Sequence, residues 1–170
     1  MKKSTLSHEP VETMGEAYEM LLDKAVKKAH QSGAVVHHVI DEVKDEVAAL
    51  HKLTNDEVVS LKESVNRDLA EAARYLEETD KELDFWLGFD VSLIKLEFWK
   101  LFSEAADQTT ASLYQLKRQA GIAGYHTGEI IGLGTLVCDQ CGEKLHYRRP
   151  GHIPPCPKCN STAFHRQYSE

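Results

Sequence analysis

Apolar side chains recur every three or four positions through the first 120 residues. One set runs Tyr18, Leu22, Ala25, Ala29, then Val36, Val39 or Ile40, Val43, Val47 and Leu50. A second runs Val58, Leu61, Val65, Leu69, Ala72, Leu76 and Leu83, and a third runs Ile94, Phe98, Leu101, Ala105, Thr109, Leu113 and Leu116. Such steps gather each set on one helix face. The spacing predicts long amphipathic helices that bury those faces on one another. No proline lies between Pro10 and Pro150, and before residue 121 the glycines are Gly15, Gly33 and Gly88.

One helix boundary is well marked. In Leu53-Thr54-Asn55-Asp56-Glu57, Thr54 can cap the next helix and Glu57 can reach back to close a capping box, with Leu53 stapling onto Val58. A helical hairpin turning near 51–54 follows. The apolar phase carries on through Gly33 and Gly88, so either glycine can sit inside a longer helix. A turn within 78–90 is still expected, because one helix from 55 to 119 would be about 97 Å long. Gln119-Ala120-Gly121 ends the last helix, with Gly121 as its C-terminal cap.

The pattern changes at 121. Gly121, Gly124, Gly128, Gly132 and Gly134 arrive together, followed by strand-like Glu129–Ile131 and Leu136-Val137. The third glycine and the Lys-Ser/Thr of a phosphate loop are missing, and no helix follows, so the glycines read as a flexible lead-in and a bulged strand. All four cysteines come next: Cys138-Asp-Gln-Cys141 and, after fourteen residues, Cys156-Pro-Lys-Cys159. Two C-x-x-C pairs at this separation can close a tetrahedral four-thiolate site for one structural Zn2+. Gly142 and Asn160, the residues after each pair, tolerate the positive φ that a knuckle turn needs. Leu145–Tyr147 and Ala163–Tyr168 read as strands, with Pro150-Gly151 and Pro154-Pro155 as turns. Four-sulfur iron, and two disulfides or free thiols, are the other readings of the four cysteines.

The fold expected is therefore mainly α. Residues 1–120 form a hairpin or bundle of long antiparallel helices, and residues 121–170 form a glycine-rich segment and a small β zinc ribbon. Read as two parts, they imply that Cys138→Ser or Cys156→Ser unfolds residues 125–170 and leaves the helices largely intact.

Charge narrows the possible roles. The chain carries a net charge of -7. Fifteen basic side chains face twenty-three acidic ones before residue 121, and five face four after it. An acidic body argues against general binding to nucleic acid. Lys2-Lys3 is followed by no apolar stretch, so Met1–His8 is not read as a secretory leader, and no uncharged run could span a membrane. A cytoplasmic location is expected, since reduced thiolates suit it.

Candidate chemistry outside the cysteines is sparse. His37 and His38 stand four residues before Asp41 and Glu42, which reads as solvated pairs rather than a metal site. Phe85, Trp86, Phe89, Phe98, Trp99 and Phe102 read mainly as bundle core, with a surplus left for a dimer or partner contact. Lys144, Tyr147, Arg148, Arg149 and Arg166, with His146, Lys158, Phe164 and Tyr168, could form a basic-aromatic face for nucleic acid. No nucleophile–base arrangement or open metal site is visible, so no enzyme is expected. The leading expectation is an adaptor that binds a protein partner or itself through its helices. A nucleic-acid-associated regulator is the alternative.

The segment Tyr125-His126-Thr127-Gly128-Glu129-Ile130-Ile131-Gly132-Leu133-Gly134-Thr135-Leu136-Val137-Cys138 and the pair Cys156-Pro157-Lys158-Cys159 resemble the bacterial zinc-ribbon-containing YbeL-like family. Leu53-Thr54 before a long helix, and Arg67-Asp68-Leu69 within it, are similar to the family's layout. The resemblance implies a helical region plus a zinc ribbon and points to no particular activity. Many members carry glycine where this chain has Asn160.

Overall fold

The computed structural model describes residues 10–79, 81–119 and 124–167. The Met1–His8 segment, the Gly121 cap, Tyr168 and the side chains of His37, Leu113 and Leu116 lie outside the described residues. The element order is α1 (Pro10–Ser32), α2 (Val36–His51), α3 (Asn55–Thr79), a short α4 (Asp84–Leu87), a 3-10 turn at Val91–Leu93 and α5 (Leu96–Gln119). Six strands follow: β1 (Tyr125–His126), β2 (Ile130–Ile131), β3 (Gly134–Cys138), β4 (Lys144–Tyr147), β5 (Gly151–His152) and β6 (Ala163–Arg166).

The capping box forms as read. The Thr54 backbone N–H donates to Glu57 Oε1 at 2.9 Å, and the Glu57 N–H donates to Thr54 Oγ1 at 3.2 Å. Gly33 does not lie inside a helix. It takes φ +72° and closes α1, its N–H donating to the Ala29 carbonyl at 2.9 Å. A left-handed glycine here stops the helix even though the apolar phase resumes at Val36. Gly88, at φ +79°, closes α4 in the same way, within the expected 78–90 turn.

Helices α1 and α2 are antiparallel, since Lys24 pairs with Glu46 at 2.8 Å and Lys28 with Glu42 at 2.9 Å. The carboxylates that follow the histidines have lysine partners. Glu42 is held by Lys28, and Asp41 by Lys62 and Lys44, which lower its pKa. Most of the aromatic stretch is bundle core: Trp86, Phe98 and Phe102 are buried, Trp86 stacks on Phe102 at 5.6 Å, and Phe89 and Trp99 pack against them, while Phe85 is exposed.

The C-terminal part holds an antiparallel four-stranded sheet, ordered β1-β6-β3-β4, and a β2–β5 pair. Its own apolar cluster is small: Tyr125, Ile131, Leu136, Ile153 and Phe164, with Cys138 and Cys156 completing it. Ile130 and Leu133 instead join the core of the helices. The packing thus runs on across the 120/121 boundary.

Candidate metal centre and its junction with the helices

Strand β3 delivers Cys138 to the first knuckle, and the second knuckle leads toward β6. The Gly142 N–H donates to the Cys138 carbonyl at 3.1 Å, and the Asn160 N–H to the Cys156 carbonyl at 2.9 Å. Both closing residues have positive φ, +78° at Gly142 and +65° at Asn160, so asparagine serves where glycine is not present. The four Sγ atoms lie within 4.8 Å of one another, with 3.5 Å between Cys138 and Cys159 and between Cys141 and Cys156. A tetrahedral zinc with bonds of about 2.3 Å sets its sulfurs about 3.8 Å apart, so the set fits that ion. Backbone N–H groups already face the sulfurs. Those of Cys141 and Gln140 help draw the Cys138 thiol down to about 6. At Cys156 burial opposes ionisation, but the N–H groups of Cys159 and Lys158 help bring its pKa below the ordinary value. At Cys141 and Cys159 the N–H groups of Glu143 and Ser161 pull the same way, but burial and the neighbouring thiols outweigh them and raise both, Cys159 to about 12. Thiolates are the ligating form, so two of the four sulfurs are favoured as thiolates by the knuckles and the other two would give up their protons to a bound cation.

The same strands carry a second polar centre, where the ribbon meets the helices. Asp68 of α3 is fully buried and Arg166 of β6 is 2% exposed. Arg166 Nη2 donates to Asp68 Oδ1 at 2.8 Å, its Nε donates to the Tyr125 hydroxyl at 2.9 Å, and its Nη1 donates to the Leu133 carbonyl. Its guanidinium lies over the Trp86 ring, 4.1 Å from the centroid. Asp68 Oδ2 accepts from the Tyr18 hydroxyl at 2.7 Å and from the Gly132 N–H at 2.8 Å. Arg67 extends the junction, donating to the Ile130 carbonyl at 2.7 Å and pairing with Glu129, with its guanidinium 3.9 Å from the Tyr125 centroid. Burial works against the charge of Arg166, but Tyr125 and Asp68 hold its pKa above the ordinary value. Burial first, then Asp68, pushes the Tyr18 hydroxyl well up.

Two glycines serve this junction. A Cβ on Gly132 would overlap the Tyr18 hydroxyl, and one on Gly134, at φ +122°, would overlap Arg166 Nη1. Close approach of ribbon to helix, rather than flexibility, is what they provide.

The proposed basic-aromatic face does not assemble. Arg166 is engaged in the junction and Phe164 is buried, because alternation along β6 turns both inward. Tyr147 is half-buried, and burial pushes its hydroxyl up to about 12. His146 bonds Thr135 Oγ1 at 2.9 Å. Lys144, Arg148, Arg149 and Lys158 remain exposed. Arg148 and Arg149 border an open groove of about 590 Å³ whose opposite wall carries Glu16 and Glu19 of α1.

From the sequence Asp68 was given no role and Arg166 was set on the basic-aromatic face, yet each left a signal of its buried place. Asp68 falls on the apolar stripe of α3 between Val65 and Ala72, where a solvated carboxylate does not belong. Arg166 shares the inward phase of Phe164, two residues earlier.

A family model described as a zinc-ribbon containing domain matches residues 23–168, taking in the helices as well as the four cysteines. The chain belongs to that family. It is 29% identical over 151 residues to uncharacterized protein YbeL of Escherichia coli K12, covering 88% of this chain and 93% of the relative. The YbeL proteins of Escherichia coli O6:H1 and O157:H7 match to the same extent. No solved structure matches it. Among the described residues no helix is long and apolar enough to cross a membrane.

Proposed function

We propose that this protein is a non-enzymatic adaptor, built on helices and braced by one structural zinc ion bound to Cys138, Cys141, Cys156 and Cys159. Four protein thiolates complete a tetrahedral coordination sphere, leaving no position for an activated water. The observation that carries the adaptor reading is residual apolar exposure where the short helical turns meet α5. Leu93 is 48% exposed and Leu96 64%, with Phe85 at 59% nearby in sequence, all on an otherwise charged surface. Large apolar side chains gathered in a short segment mark a contact surface better than scattered ones do. A cytoplasmic setting suits the reduced thiolates.

The test is proximity labelling in cells with the wild-type chain and a Leu93→Ser/Leu96→Ser variant, each checked for zinc content and helicity. A reproducible set of neighbours lost only in the variant supports the adaptor. Identical sets from both chains, or no reproducible set and a strictly monomeric protein, count against it.

The alternative is a nucleic-acid-associated regulator acting through Lys144, Arg148, Arg149 and Lys158, which are exposed on the ribbon. Anisotropy of labelled DNA and RNA across a salt series separates the two readings. Binding that weakens steeply with salt and is lost in Arg148→Ala/Arg149→Ala would favour the regulator.

A further inference from the structure

We infer that the ribbon is a zinc-dependent latch on the helices, so that metal occupancy governs the order of α1 and α3 as well as that of the ribbon. The inference rests on the zinc reading above and goes beyond it, because a structural ion in a separate module would leave the helices indifferent.

Two strands link the metal site to the helices. Strand β3 ends at Cys138 and begins beside Leu133 and Gly134, which meet Arg166. Strand β6 pairs with it in a register that sets Cys138 opposite Phe164 and Leu136 opposite Arg166. The first knuckle is tied to β6, where the Asp139 N–H donates to the Ala163 carbonyl at 3.1 Å, and the second is closed just before β6 by the Cys156 N–H, which donates to the Ser161 carbonyl at 2.8 Å. Among the described residues the ribbon's own core has five buried apolar residues besides the two buried cysteines, with Leu145 and Tyr147 packed against them. Such a core cannot hold these strands in register without the ion, because metal binding and folding are one equilibrium in small modules.

Once β3 and β6 lose their register, the helix side of the junction is left exposed to imbalance. Asp68 loses Arg166 and Gly132, two of its partners, while it sits fully buried in α3. Trp86 loses the guanidinium over its ring. Thr135 withdraws from the Leu87 carbonyl, to which its hydroxyl donates at 2.7 Å. The carboxylate keeps the Tyr18 hydroxyl and the more distant Arg67, whose Nε lies 3.7 Å away, but it loses its nearest cation. A buried carboxylate stripped of its nearest cation draws water in. The disturbance should therefore spread to α1 around Tyr18, to α3 around Asp68 and to α4. Helix α2 supplies none of these contacts and serves as the internal reference.

The test is hydrogen–deuterium exchange on the full chain, with zinc counted by elemental analysis, before and after removal by a chelator and again after zinc is returned. The expected result is one zinc per chain, and on its removal faster exchange by about tenfold or more around residues 14–22 and 62–72, equivalent to about 1.4 kcal/mol of local stability. Protection in α2 should change much less, and all segments should recover with zinc. One zinc per chain with only residues 124–167 released would overturn the latch and leave the metal site standing. A chain that binds no zinc would overturn both. An Arg166→Met variant that still binds zinc should show fast exchange around Asp68 even when loaded, and slow exchange there would also count against the latch.

Discussion

Replacing Arg166 by methionine keeps the length of the side chain and removes its charge and donors. Three observations set the magnitude. The Asp68 partner is fully buried, the Arg166–Asp68 distance is 2.8 Å, and two further acceptors, Tyr125 and the Leu133 carbonyl, depend on the same guanidinium. Breaking one side of a buried ion pair costs about 3–5 kcal/mol. Asp68 keeps the Tyr18 hydroxyl, the Gly132 N–H, the Tyr125 hydroxyl at 3.3 Å and the Arg67 Nε at 3.7 Å, which places Arg166→Met toward the lower end. Asp68→Ala should cost more. It strands the Arg166 charge and also leaves the Tyr18 hydroxyl and the Gly132 N–H without their acceptor, at about 1–3 kcal/mol for each buried group. A domain holds about 5–15 kcal/mol in all, so the alanine variant approaches unfolding. The assay is urea unfolding of the zinc-loaded chain, followed by far-ultraviolet circular dichroism for the helices and by tryptophan fluorescence for Trp86. Both signals should shift together, and Asp68→Leu/Arg166→Met should cost less than the two single changes added. A loss below about 1 kcal/mol, or a helical midpoint that does not move, would refute the claim that this pair joins the two parts.

Gly132→Ala should destabilise the zinc-loaded chain by about 1–3 kcal/mol in the same assay, because the added carbon meets the Tyr18 hydroxyl inside a packed junction. Thr54→Ala removes the cap of α3 and should cost about 1 kcal/mol, read from the thermal midpoint with zinc content unchanged. Cys138→Ser should abolish stoichiometric zinc, measured by elemental analysis; a variant that keeps a full equivalent would contradict the four-thiolate site. Tyr18, Tyr125 and Tyr147 all have raised pKa values, with burial the leading cause and Tyr147 pushed up to about 12. Above about pH 10 the unfolded chain gives up these protons first, so stability should fall as pH rises toward 12. An ultraviolet titration in which all tyrosines ionise together near pH 10 while the helices persist would contradict this.

Much of the architecture could be read from local features. Helical periodicity, the Thr54–Glu57 box and the knuckle residues Gly142 and Asn160 each concern a few neighbours in sequence, and each formed as expected. Gly33 was ambiguous because apolar phase survives a tight turn; only the positive φ distinguishes the two cases. The junction was hidden for a different reason. Asp68 and Arg166 are 98 positions apart, and a charged residue reads as solvent-facing until its partner is known. Composition therefore assigned Arg166 to a surface that the phase of β6 denies it. The glycines at 132 and 134 were read through backbone freedom, which Gly134 does use at φ +122°, whereas the space both leave for Tyr18 and Arg166 was hidden.

The loss of Arg166 from the exposed set changes the weight of the functional readings. Without it and the buried Phe164, the described part of the ribbon offers nucleic acid the exposed Lys144, Arg148, Arg149 and Lys158 and a half-buried Tyr147. Glu16 and Glu19 stand across a groove from Arg148 and Arg149, so an approaching phosphate meets a carboxylate wall as well as guanidinium groups. The charge of Arg149 is also felt by Glu19, whose pKa is raised chiefly by burial and lowered in part by that arginine. Phosphate binding would have to compete with this internal attraction. A protein surface carrying both signs of charge beside Leu93 and Leu96 faces no such competition. The acidic helices, by repelling polyanions and attracting mixed or basic protein faces, favour the adaptor for the same physical reason that they oppose the regulator.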